Sequence, residues 1–69
     1  MNEAFRVHML NDTGKEKARK IAESFDRLLS EVEDVCSPSG REIAIVRTKL
    51  EEACFFAKKA MANRPQNQQ

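Results

Sequence analysis

Gly40–Ala62, GREIAIVRTKLEEACFFAKKAMA, holds more than half of the large apolar side chains after residue 30 and contains no internal Gly or Pro, so it reads as one long helix. Ile43, Val46, Leu50, Ala53, Ala57 and Ala60 recur at alternating intervals of three and four, with Cys54 and Met61 widening the stripe. One face is therefore apolar along the whole length and has to be buried. Ser39-Gly40-Arg41-Glu42 has the form of a capping box, which starts the helix at Ser39. Asn63-Arg64-Pro65 stops it, because proline lacks an amide hydrogen and disfavours helix in the residue before it. At about 100° per residue, Ile45 and Phe56 fall on a second apolar patch, and Ala44, Phe55 and Ala62 on another flank. A helix packed on one neighbour has no use for so many apolar directions, so further copies of the chain are expected to cover them.

Working outward, Ala18, Ala22, Phe25, Leu29, Val32 and Cys36 repeat the spacing, with Ile21, Leu28 and Val35 alongside, and the opposite face is rich in Glu and Asp. This predicts a first amphipathic helix, opened at Thr13 by a second capping-box pattern, Thr13-Gly14-Lys15-Glu16. Ser37-Pro38-Ser39-Gly40 breaks it, and so short a connection makes the helices antiparallel neighbours. The predicted fold is all-α: an antiparallel two-helix hairpin over residues 13–64, preceded by a short N-terminal arm or helix at 1–12, followed by a disordered tail at 65–69, and assembled into an oligomer. In the expected core, Phe25, Leu28, Leu29 and Val32 face Ile43, Val46, Leu50 and Ala53. The tail, Pro65-Gln66-Asn67-Gln68-Gln69, is read as too polar to bury.

The chain has 69 residues, a size at which one core is marginal without help from other subunits, disulfides or metal. The net charge of +1 argues against duplex DNA as a partner, since a DNA-binding domain of this size carries a clear basic excess. No signal peptide and no apolar run long enough to span a membrane is visible, so a cytoplasmic protein with reduced thiols is expected. Cys36 lies near the turn and Cys54 about 20 Å along the second helix, too far apart to pair. Both stand at core spacing and are read as packing residues. One His and two separated Cys make no zinc pattern, and no catalytic set or cofactor motif is present. The reading is a binding protein and not an enzyme.

The basic residues carry more information. Lys15, Lys17, Arg19 and Lys20 crowd the start of the first helix and Arg41 the start of the second, where the helix dipole disfavours cations. From spacing alone the favoured reading is an ordinary solvated face, with Glu16 and Glu23 as partners along the helix. A bound anion would turn the same placement to advantage.

The runs Pro38-Ser39-Gly40-Arg41-Glu42, Thr48-Lys49-Leu50-Glu51-Glu52-Ala53 and Phe55-Phe56-Ala57-Lys58-Lys59-Ala60 resemble the C-terminal hairpin of phage anti-CBASS and anti-Thoeris proteins. The resemblance implies a sponge that holds cyclic di- or trinucleotide immune signals without cleaving them, as a homo-oligomer such as a hexamer, in the cytoplasm of the infected bacterium. It further implies that an arm aromatic, here Phe5 or His8, stacks on a dinucleotide beside a basic residue drawn from Lys17, Arg19 and Lys20. Arg64 stands close to the place of an arginine that serves a separate trinucleotide pocket in relatives, and Thr48 matches a family threonine, counted with them among the ligand-binding candidates. The alternatives that the residues leave open are a small helical DNA-binding regulator and a purely structural oligomerisation module built on Phe55 and Phe56.

Overall fold

The computed structural model describes residues 9–69. Two helices, α1 (Asp12–Cys36) and α2 (Arg41–Ala62), are joined by a four-residue connection and followed by a 3-10 turn at Pro65–Asn67. The architecture is the expected all-α hairpin. Its antiparallel register follows from the pairings across it: Glu33 meets Arg47, while Lys17 meets Asn67.

The helix starts differ from expectation. α1 is capped by Asn11, whose Oδ1 accepts from the Gly14 amide at 2.7 Å, and Thr13 lies inside the first turn. Asn11 is extended, as a cap must be, and Asp12 adds a carboxylate where the dipole favours one. α2 is capped by Gly40 with no side-chain bond, so the Ser39 capping box does not form. Gly40 has φ +124°, open to glycine at little cost.

Most of the predicted α2 stripe holds: Ile43 is buried and Val46, Leu50, Cys54, Ala57 and Met61 are half-buried, whereas Ala53 and Ala60 are exposed. The seam position that the apolar pattern does not mark is the half-buried, charged Arg47. Its position suits an arginine because the aliphatic stem can cover apolar surface while the guanidinium reaches a partner. That guanidinium donates to Glu33 Oε2 at 2.6 Å and to the Pro38 carbonyl at 2.7 Å, tying α2 to the end of α1 and to the connection. On α1 the expected Ala18, Ala22, Phe25, Leu29 and Val32 are half-buried, but Leu28 is exposed. Cys36 is exposed as well, so its reading as a packing residue is corrected; Cys54 is half-buried in the seam.

The hairpin is one layer thick, with extents of 42 × 24 × 11 Å, the smallest being about one helix diameter. Among the described residues Ile43, at 5% exposure, is the one large apolar side chain that is buried. Val35 (85%), Phe55 (62%) and Phe56 (61%) stand in solvent, and the two Phe rings meet edge-to-face with centroids 5.2 Å apart.

Candidate ligand-binding site

The expectation of a disordered tail is overturned. A helix leaves its last carbonyls without partners, and the tail's polar side chains supply the missing donors. Asn67 Nδ2 donates to the Met61 carbonyl and Gln68 Nε2 to the Ala62 carbonyl, each at 2.9 Å. At the other end of the hairpin's chain, Asn11 Nδ2 donates to the carbonyls of Gln66 and Gln68, at 2.9 and 3.0 Å. The Asn11 amide donates to the Asn67 carbonyl at 2.9 Å, and Leu10 pairs with Gln68 in an antiparallel bridge. The polarity that argued against burial is what orders the segment, because its buried polar groups find partners. Asn67 is only 1% exposed.

This arrangement needs glycine at position 14. A Cβ there would stand 2.3 Å from the Asn67 carbonyl oxygen, so the tail's backbone can cross α1 this closely only over a residue without a side chain.

Where the tail crosses, the start of α1 and the end of α2 enclose an open hollow of about 450 Å³, lined by Lys17, Ala60, Met61, Arg64, Gln66 and Asn67. That volume lies within the roughly 300–1,000 Å³ of small-molecule sites. Lys17 and Arg64 bring two cations to its lining. The Lys17 ammonium is held by Asn67 Oδ1 at 2.8 Å, a neutral acceptor that leaves the charge uncancelled. A hollow with two cations and amide groups suits an anionic ligand that also offers hydrogen-bonding groups.

The remaining sequence-predicted residues lie elsewhere. Arg19 donates to Glu16 and to Glu23, the latter at 2.9 Å. Its pKa is raised above the ordinary arginine value, first by the hydrogen bond to Glu16, then by the charges of Glu16 and Glu23. Arg19 is thus engaged by carboxylates along its own helix. Lys20 is exposed. Thr48 belongs to a second open hollow, with Arg41, Ala44, Ile45 and Lys49, and its hydroxyl donates to the Ala44 carbonyl at 3.2 Å, a bond within the helix. Phe5 and His8 lie outside the described residues. Sequence reasoning missed Asn11 and Asn67. Asn11 was legible as an Asn immediately before Asp-Thr-Gly; Asn67 carried no local signal, since its partners are 50 or more residues away on α1 and six residues back on α2.

The family described as Acb2/Tad1, hairpin domain, matches residues 1–62. The chain belongs to this family, that of the anti-CBASS and anti-Thoeris sponges. No curated protein and no solved structure gave a match. The matched range ends at the last residue of α2, so Arg64 and Asn67 lie beyond it. Among the described residues, no helix is long and apolar enough to cross a membrane, and no group of His, Cys, Asp and Glu is gathered as a metal site.

Proposed function

We propose that this protein binds and sequesters cyclic oligonucleotide immune signals without cleaving them, and so counteracts CBASS-type signalling in the cytoplasm of an infected bacterium. The observation that carries the reading is the pairing of Lys17 and Arg64 on one open hollow, in a chain of the sponge family. Cyclic nucleotides present phosphodiester charges and base edges together, which is what two cations and the amide of Gln66 would meet. Binding needs no general acid or base, and sequestration works by affinity alone.

The protein acts in this reading as a homo-oligomer, with a hexamer the assembly the resemblance implies. Exposed Ile45, Phe55 and Phe56 support self-association, because a one-layer hairpin cannot bury them itself. A second copy could also wall in a hollow that a single copy leaves open.

Isothermal calorimetry with cyclic di-AMP and cyclic tri-AMP tests the site. Replacing Lys17 or Arg64 with Ala should each weaken the same bound ligand by about 1.5–3 kcal/mol, the range for a hydrogen bond to a charged group. The resemblance assigns the early basic residue and the arginine to separate pockets; because Lys17 and Arg64 border one hollow, loss of the same ligand in both variants is the expected outcome. Unchanged affinity in both would remove the hollow as the site.

A further inference from the structure

The tail residue Asn67 lies outside the range matched by the family and is the most deeply buried polar side chain among the described residues. Its contacts reach both helices. Nδ2 donates to the Met61 carbonyl on α2, Oδ1 accepts from the Lys17 ammonium on α1, and the backbone amide donates to the Arg64 carbonyl at 3.0 Å. The backbone carbonyl accepts from Asn11 and rests over Gly14. One residue is thus bonded to both cation-bearing residues of the hollow, to one through its side chain and to the other through its backbone.

We propose that Asn67 is a positioning residue for ligand binding, holding the Lys17 ammonium at the hollow with its charge intact. This rests on the reading of the hollow given above. A lysine side chain has four rotatable bonds, and fixing it in advance removes an entropic cost that an unrestrained ammonium would meet on binding. The holder must accept a hydrogen bond without neutralising the cation. A carboxamide does both. A carboxylate of the same shape would hold Lys17 as tightly but form an ion pair with it, leaving little net charge for an anionic ligand. The Nδ2 bond to Met61 fixes which end of the amide faces Lys17, since only the oxygen can accept from the ammonium.

Because the residue acts through Lys17, the test is a double-mutant cycle. Dissociation constants for cyclic di-AMP and cyclic tri-AMP are measured on the wild type, Asn67→Asp, Asn67→Leu, Lys17→Met and the Asn67→Leu/Lys17→Met double variant, with helix content and melting followed alongside. Asn67→Asp should raise the dissociation constant of the bound ligand about tenfold or more while the helices persist. Lys17→Met should do likewise; and because an aspartate repels an anion even without Lys17, the coupling is read with the neutral Asn67→Leu, whose double variant should bind no more weakly than Lys17→Met alone, since the lost acceptor has nothing left to act through. Wild-type affinity in Asn67→Asp, or losses from Asn67→Leu and Lys17→Met that simply add, would overturn the proposal while leaving the hollow as the site. Wild-type affinity in Lys17→Met, or no binding of either ligand by the wild type, would overturn the reading of the hollow and the proposal with it. Should Asn67→Asp lose its helices, Asn67→Leu alone carries the cycle, with the same expected and overturning results.

Discussion

Arg47 of α2 donates to Glu33 of α1 across 2.6 Å, and its same nitrogen reaches the Pro38 carbonyl at 2.7 Å. The pair joins the helices beside the connection and gives that end of the hairpin a fixed register. Since both side chains are partly exposed, solvent screens the attraction, and the coupling between them should be about 1 kcal/mol or less. A double-mutant cycle with Arg47→Met and Glu33→Gln, read by urea unfolding at one protein concentration, measures it. A coupling near zero would mean that the register is held by the apolar seam alone.

That arginine also explains where the sequence misleads. The helices, their antiparallel order and the α1 face were all legible from the three-four spacing, because Ala22, Phe25, Leu29 and Val32 are apolar at each seam position. On α2 the seam places a charged residue at 47, which an apolar pattern cannot mark, and of the apolar stripe only Ala53 and Ala60 turn out exposed. Lys17 and Arg64 were recognisable as cations in informative places. Their meeting at one hollow was not, because it depends on a tail whose order comes from hydrogen bonds between residues far apart in sequence. Composition registers only that such a tail is polar.

Gly14→Ala would ordinarily favour a helix by up to about 1 kcal/mol. Here the added methyl meets the Asn67 carbonyl at 2.3 Å, so the tail should detach while α1 remains. Hydrogen exchange reads this directly: the Asn11 and Gln69 amides, which donate to Asn67 and Met9, should lose protection. Protection equal to wild type would show that the tail accommodates the methyl.

The exposed phenylalanines bear on assembly. With Ile45, Phe55 and Phe56 uncovered on a one-layer hairpin, light scattering at micromolar concentration should give a mass several times the 7.9 kDa of one chain. Phe56→Asp should lower that mass and the melting temperature together, since a buried carboxylate opposes association. A monomer mass for the wild type would contradict the account.

The thiols should remain unlinked to one another. Cys36 is exposed near the connection and Cys54 sits half-buried in the seam, so air-exposed native protein should contain no Cys36–Cys54 disulfide by mass spectrometry. Limited alkylation should label Cys36 before Cys54. An intramolecular bridge would require a different helix register.

Sequestration without turnover is the central claim, and recovery of ligand tests it most directly. The protein is incubated with cyclic di-AMP or cyclic tri-AMP, separated from unbound nucleotide, and heated to unfold it; the released material is then identified by mass spectrometry. The account predicts intact cyclic nucleotide in stoichiometric amount, with less recovered from Lys17→Ala and Arg64→Ala. Linear or cleaved product would make the protein an enzyme, and an empty protein after incubation with both ligands would contradict the assignment to these signals.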